Sequence, residues 1–470
     1  MTKRRHLLAL LIFAGALIVP AAAQQSAPIF LRGTLVTPDE TIADGVVAIE
    51  GEKIVQVGPY AGKPAGGPAV ATDSFIYPGL INLHDHITWN LFPRWTQNVE
   101  FSTRYEWQQR TAYGVALSTP HAQLFSAGLG CDANRFGEVK AIVGGATSVV
   151  GSLGPSRPGL NDNECIAGLA RNLDFYSGFY GSGPNHEKLR YEVFPLQLPL
   201  AQMQQIQSDL ASGQLASYVV HLSEGKPTDA NAAREFNMFQ GQGFLRPGVL
   251  IIHGVALGGA QFKQMAAGGV GLIWSPRSNI ELYGSTADVA TAKQEGVKIA
   301  IAPDWSPSGS DGFLQELKYV ATWNAGQRPA VFSDAELVKM ATSYPAQMAK
   351  VDDKIGSLKA GLYADLLLIR KHEGDKNAYQ ALLHASPSDV RLVVINGLPV
   401  YGDADLMRLI LPGRSLQDLT LCGSRKSLYI QPVAGVPTSW NEVTERVAAN
   451  LQSWGTSLAA LTQCQGTNLR

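Results

Sequence analysis

Tyr77-Pro78-Gly79-Leu80-Ile81-Asn82-Leu83-His84-Asp85-His86 is the stretch on which the reading of this chain turns. An apolar run, opened by Pro-Gly, delivers two histidines one residue apart. On a β-strand side chains alternate between faces, so His84 and His86 point one way and Asp85 the other. Two imidazoles side by side at a strand end suit a divalent metal, which offsets the cost of crowding them. A His-x-His alone also occurs as ordinary structure, so its weight depends on what the rest of the chain places beside it.

Downstream, apolar runs at 146–150, 191–196, 218–222, 249–253, 270–274 and 298–303 read as strands. Amphipathic stretches at 201–211 and 287–294 separate several of them, and such alternation predicts parallel strands with helical crossovers. Residues 78–350 span about the length of a (β/α)8 barrel. Segment 104–128, rich in aromatics and helix formers, reads as a cap inserted after the first strand. Short β runs precede this block at 30–36, 45–49 and 53–57, and return after it at 355–358, 364–369 and 390–397, broken by Gly, Asp and Pro. The expected fold class is therefore α/β, a TIM-like barrel with a small β-sandwich built from both flanks. Its parts are 24–77 and 351–403 for the sandwich, 78–350 for the barrel, and 404–470 for a C-terminal extension with a helix near 440–461.

The first residues, Met1-Thr2-Lys3-Arg4-Arg5-His6, precede an apolar stretch at 7–20 and then Ala21-Ala22-Ala23-Gln24. A basic start, an apolar middle and a small-residue site form the pattern of a secretory signal peptide over 1–23, with the mature chain starting at Gln24 or Gln25. The expected location is periplasmic or secreted, with no membrane span after cleavage. Four cysteines fit an oxidising compartment. Nearest-neighbour pairing gives Cys131–Cys165 and Cys422–Cys464, although three connectivities are open and buried free thiols are the plainer alternative. A formal net charge of -1 offers no electrostatic case for nucleic acid or an anionic membrane as partner. With 45% apolar and 16% charged residues the chain is globular, and a small molecule is the expected partner, with homo-oligomer formation left open.

Catalytic groups of such a barrel gather where strands end at its C-terminal face. Four ends here carry chemistry. His84 and His86 close the first. Tyr218-Val219-Val220-His221-Leu222-Ser223-Glu224 closes another, Val249-Leu250-Ile251-Ile252-His253 a third, and Ile299-Ala300-Ile301-Ala302-Pro303-Asp304 the last. Each has a plain reading, a hydrogen-bonded histidine or a helix-capping aspartate, but the joint pattern favours a metal site.

On Pro78–His86, the His221-x-x-Glu224 segment, His253, the Trp274-Ser275-Pro276-Arg277-Ser278-Asn279 loop and Asp304, the chain resembles the amidohydrolase superfamily. Within it, the chain is most similar to the mononuclear branch of cytosine and guanine deaminases and triazine hydrolases. The resemblance implies that His84, His86, His221 and Asp304 hold one divalent ion, zinc before iron. It also implies catalytic roles for Glu224 as proton shuttle, His253 as electrophile and Asp304 as acceptor of the water proton. The fourth strand, Arg190-Tyr191-Glu192-Val193-Phe194, has no lysine to bridge two metals.

The implied activity is hydrolysis of C–N bonds other than peptide bonds. Deamination of an N-heterocycle competes with hydrolysis of an amide, urea or carbamate. A dipeptidase-like enzyme and a non-catalytic exported binding protein remain as alternatives. Trp89, Trp95, Trp107, Tyr113 and Trp305 are candidate walls for a planar substrate, with core packing the equal reading. Arg277 is a candidate clamp for a substrate oxygen or a member of a structural ion pair. His121, His186, His372 and His384 read as surface or structural.

Overall fold

The computed structural model describes residues 28–62, 64, 67–151, 169–174, 188–431 and 439–464. The segment 1–23, expected to be a signal peptide, Cys165 and His186 lie outside the described residues.

The leading block holds β1 (Ile29–Val36), β2 (Thr41–Glu50), β3 (Lys53–Pro59) and β4 (Val70–Pro78). Eight strands of the central block follow: β5 (Leu80–Asn82), β6 (Ala146–Val149), β7 (Arg171–Asn172), β8 (Leu189–Glu192), β9 (Ser217–Leu222), β10 (Val249–His253), β11 (Gly271–Trp274) and β12 (Ile299–Ile301). The trailing block holds β13 (Leu366–Arg370), β14 (Val390–Ile395), β15 (Leu398–Asp403), β16 (Gln417–Leu421) and β17 (Ser424–Leu428).

The central strands pair in parallel, in the orders β5-β6-β7 and β12-β11-β10-β9-β8. They read as continuous apolar runs because they are covered on both faces: all five residues of Val249–His253 are buried. Past the last strand, Ile301 N–H donates to Met340 O and Ile81 N–H to Ala341 O, each at 3.0 Å. A parallel bridge also joins Asp85 to Asp304. The ends of β5 and β12 are thus drawn together, and with them the first and last motifs.

Helices cross between the strands where periodicity places them. The stretch 201–211 forms Leu200–Ser212, and 287–294 shortens to Val289–Gln294 because the Asp288 side chain caps its N-terminus. The run 191–196 moves: β8 begins at Leu189 and ends at Glu192, since Pro195, with no N–H to donate, opens a 3-10 turn. β7 escaped the sequence reading, being two polar residues long. The inserted segment 104–128 is helical, as Arg104–Gln108, Thr111–Tyr113 and Thr119–Ser126 joined by a π-helical turn.

The two flanks do pair: β4 runs antiparallel to β13, Tyr77 opposite Leu367. The described strands of both flanks make one continuous nine-stranded sheet, β16-β17-β15-β14-β13-β4-β1-β2-β3. The β2–β3 turn meets the chain at the start of β13, where Ala364 N–H donates to Glu52 O at 2.9 Å. Period-two alternation gives it two apolar faces. Leu366 and Leu368 pack with Leu31, Leu35, Val47, Leu392 and Met407. Leu367 and Ile369 join the large core that continues into the central strands. Met407 lies on the helix Ala404–Ile410, so a helix contributes to the cover of that face.

Residues 355–358 are loop rather than strand. Gly356 sits at φ 92°, where a Cβ would meet Ala346 Cβ at 2.5 Å. The extension beyond 403 is not merely appended, because β16 and β17 complete the sheet. Its helix Trp440–Ser453 stacks Trp440 on Phe136, and a Cys422–Cys464 disulfide closes the end. The Cys131–Cys165 pairing depends on a residue outside the described ones. Between sheet and central strands, Arg171 donates two hydrogen bonds to Asp365, at 2.7 and 2.8 Å, with both side chains buried.

Candidate metal-dependent active site

The chain brings five strand-end side chains to one place. His84 Nε2 lies 3.1 Å from His221 Nε2 and 3.2 Å from Asp304 Oδ1. His86 Nε2 lies 3.5 Å from the same carboxylate oxygen. Two sets, His84 with His221 and His253, and His84 with His86 and Asp304, each have ligand atoms within 4.8 Å of one another. The backbone is strained where these groups are presented: Ser223, His253 and Asp304 all adopt positive φ, at 53°, 68° and 62°. Non-glycine residues hold such conformations only where the surroundings impose them. Gly151, at φ 104°, permits the approach of β6 to the His-x-His turn, since a Cβ there would fall 1.9 Å from Asp85 O.

The groups fit a divalent cation on chemical grounds. Burial and neighbouring imidazoles push His84 and His221 well below the usual histidine range, and His86 down to about 3. All three are therefore neutral near pH 7 and present lone pairs. Asp304 Oδ1 is buried and accepts no hydrogen bond. Burial pushes the Asp304 carboxyl well above its ordinary range, with Glu224 and Asp85 adding to the effect despite a hydrogen bond from Ser278. A cation placed among these atoms would reverse that shift.

Supporting contacts orient the ligands, as metal histidines require. Ser275 Oγ lies 2.8 Å from His84 Nδ1. Asp85, facing away, accepts from Asn82 Nδ2 at 2.6 Å, Asn90 Nδ2 at 2.7 Å and His86 N–H at 2.7 Å. Asn90 Oδ1 in turn accepts from Ser306 N–H at 2.8 Å, tying the first motif to the loop after β12. On β8, where a bridging lysine would stand, Tyr191 places its hydroxyl 3.4 Å from His86 Nε2.

Glu224 stands beside this cluster, its Oε2 3.6 Å from His253 Nε2. Tyr283 donates its hydroxyl to Glu224 Oε1 at 2.6 Å. The Arg104 guanidinium lies 3.6 Å from Oε2 while donating to Val193 O at 2.8 Å. The cavity over these groups, about 320 Å³, is lined by His86, His221, Glu224, His253, Asp304 and an aromatic wall of Trp89, Trp107, Tyr113, Phe194 and Trp305.

Of the aromatic candidates, Trp95 is packed against Phe101 and does not line the cavity. Arg277 does not line it either: its guanidinium lies 3.4 Å from Ser310 Oγ and its N–H donates to Glu316. His372 and His384 are exposed. His121 is buried and stacks on Trp89 at 3.8 Å, so it backs the cavity wall. The sequence reading missed Tyr283, Arg104 and Ser275. Ser275 lay inside the quoted loop, but nothing local marked Tyr283 or Arg104, which meet Glu224 only through the fold.

The amidohydrolase family model matches residues 194–400. A 5-methylthioadenosine/S-adenosylhomocysteine deaminase of Desulforudis audaxviator is 27% identical, covering 75% of this chain and 88% of that protein. Its counterpart in Pyrococcus furiosus is 25% identical, covering 81% and 96%. Among solved structures, a zinc-bound adenosine deaminase of Xanthomonas campestris aligns with TM-score 0.64 at 18% identity, over 79% of this chain and 92% of that one. Guanine deaminase of E. coli aligns with TM-score 0.61 at 16% identity, over 80% and 99%. The expected enzyme class, an amidohydrolase acting on C–N bonds other than peptide bonds, agrees with these relatives. The resemblance drawn from the motifs is borne out, and the chain matches the deaminase and hydrolase branch of the amidohydrolase superfamily.

Proposed function

We propose that this protein is an exported, metal-dependent deaminase of a planar N-heterocycle, with adenine nucleosides as the first substrates to test. The carrying observation is the convergence of His84, His86, His221 and Asp304 beside a separate carboxylate, Glu224, under an aromatic-walled cavity. Flat rings stack well on such walls, and the names of the sequence relatives point to the adenine nucleosides among flat rings. We read the eight parallel strands as one closed (β/α)8 barrel over residues 78–350, with the site at its C-terminal mouth.

In this reading His84, His86, His221 and Asp304 hold one divalent ion, zinc before iron. When bound, such an ion supplies a Lewis acid that makes water a nucleophile near neutral pH. Asp304 takes the proton from the attacking water. Glu224, carrying the shuttled proton, delivers it to the ring nitrogen beside the attacked carbon. The proton held by Asp304 passes to the departing amine, and the proton of the added hydroxyl returns to Glu224 as the carbonyl forms. His253 stabilises charge that develops on the ring. Water adds across the C–N bond, ammonia leaves, and a carbonyl remains. The wall of Trp89, Trp107, Tyr113 and Trp305 holds the ring and keeps bulk water out.

Ammonia release from 5-methylthioadenosine, S-adenosylhomocysteine, adenosine and guanine is the direct test. Turnover of simple amides, ureas or carbamates, with none of these bases deaminated, would replace deamination by amide hydrolysis. Glu224→Gln should retain metal while turnover falls by ~10²–10⁴-fold. Full turnover in that variant would remove the proton-shuttle role. Export is supported by the signal-like residues 1–23 and agrees with the Cys422–Cys464 disulfide. The mass of the protein recovered from a periplasmic extract tests it, the expected start being Gln24 or Gln25.

A further inference from the structure

We propose that Tyr283 is a positioning residue that fixes which oxygen of Glu224 carries the proton: Tyr283 occupies Oε1, leaving Oε2 as the working oxygen. The inference rests on the proton-shuttle reading of Glu224 and adds to it a direction.

Three atoms in series set that direction. Trp107 Nε1 donates to the Tyr283 hydroxyl at 2.9 Å, and the hydroxyl donates to Glu224 Oε1 at 2.6 Å. An indole N–H only donates, so the tyrosine oxygen must accept from it, and its single proton is left for Glu224. Were Oε1 itself protonated, two O–H groups would compete for one short contact. The Tyr283 proton would then have to find another acceptor, and its oxygen already receives the indole. Tyr283 and Trp107 are both nearly fully buried, so water does not readily offer that acceptor. Burial, together with the Glu224 charge, holds the Tyr283 phenol well above its ordinary range, which keeps it a donor.

Oε2 faces the chemistry instead. It lies 3.6 Å from His253 Nε2 and 3.6 Å from the Arg104 guanidinium, too far for a hydrogen bond to either. Glu224 lines the cavity together with His253 and Asp304. Because Trp107 is also a wall of that cavity, the side chain that touches substrate is two hydrogen bonds from the carboxylate that serves it. A ring bound against Trp107 therefore meets a carboxylate whose rotation is already stopped, the kind of pre-orientation that raises turnover more than binding.

The test is a double-mutant cycle on purified, metal-loaded enzyme, using the best substrate of the ammonia-release panel. Tyr283→Phe keeps the ring and removes the hydroxyl. It should lower kcat about 10–100-fold, with KM within about threefold and metal content unchanged. In a Glu224→Gln background, Tyr283→Phe should cost less than about threefold, because the oxygen it orients no longer shuttles a proton. Trp107→Phe keeps the wall and Tyr283 but loses the N–H; it should give a smaller kcat loss in the same pattern, and it serves if the tyrosine variant folds poorly. Equal losses in both backgrounds would overturn the inference, as would wild-type kcat in Tyr283→Phe. If Glu224→Gln itself turns over normally, the shuttle reading has failed first. If it is inactive while Tyr283→Phe is fully active, the positioning inference alone has failed.

Discussion

Asn279 Oδ1 accepts a hydrogen bond from His253 Nδ1 across 2.7 Å. The amide nitrogen of Asn279 faces Thr286 Oγ1 at 3.2 Å, which assigns its oxygen to the histidine. Nδ1 therefore carries the proton and Nε2 keeps its lone pair toward Glu224 Oε2. Burial lowers the His253 pKa, and the Glu224 charge and Asn279 oppose that fall. An imidazole so held is neutral at rest and gains a proton readily only from the side of Glu224.

From this, His253→Ala should keep about one metal per chain while kcat falls by ~10²–10⁴-fold. Asn279→Ala, which frees the tautomer but leaves the ring, should cost less, about 10–100-fold. Metal analysis beside steady-state rates decides the point. Loss of the ion from His253→Ala would move His253 into the ligand set, next to His84 and His221, from which its ring nitrogen is within reach.

Metal stoichiometry is the second prediction. The ligand geometry gathers around a single Asp304 oxygen, and β8 presents Tyr191 where a second metal would need a bridging base. Protein purified without chelator should carry one divalent ion per chain. His84→Ala and Asp304→Ala should each lose that ion together with activity, read by elemental analysis. Two tightly held ions would refute the single site.

The aromatic wall gives a third. Trp305 is buried and lines the cavity, with its ring 5.8 Å from that of His86 and 5.7 Å from that of Trp89. Stacking a base on an aromatic ring stabilises binding by about 1–3 kcal/mol. Trp305→Ala should therefore raise KM for a turned-over nucleoside about 5–100-fold. An unchanged KM would show that the base lies elsewhere in the cavity.

These sites differ in how far the sequence announced them. His84, His86, His221, His253 and Asp304 lie at or just past the ends of apolar runs, which marks where the strands deliver them. The turns beyond set the final aim, as the positive φ of His253 and Asp304 records. The central strands were legible for the same reason: residues covered on both faces leave an unbroken apolar signature. β7 was not, since Arg171 and Asn172 are polar and their burial depends on partners such as Asp365, distant in sequence. The flanking strands were found, but a single sheet and a sandwich share one alternating pattern. The β4–β13 pairing, which joins the two flanks into one hydrogen-bonded sheet, is long-range and left no local mark. Arg104 and Tyr283 were invisible because no local pattern marks a residue whose partner is more than fifty positions away.

The final prediction concerns stability against pH and rests on Glu316, which is fully buried against the first turn of the helix Pro276–Tyr283, where Arg277 lies. Ser310 Oγ donates to its Oε2 and Arg277 N–H to its Oε1. Burial outweighs those bonds and the nearby Arg277 and Arg94 charges, raising its pKa from 4.5 to about 7. The folded state therefore keeps a proton that the unfolded chain releases above pH 4.5. The resulting stabilisation is complete below 4.5 and is lost as pH rises to about 7. The shift corresponds to on the order of 3 kcal/mol. Glu316→Gln, neutral at every pH, should be free of that loss. Urea unfolding at about pH 5 and pH 8 should show the wild type weakening relative to the variant by about 2–3 kcal/mol. Parallel curves for the two proteins would mean that Glu316 is ionised in the folded state, with Arg277 and Arg94 outweighing its burial.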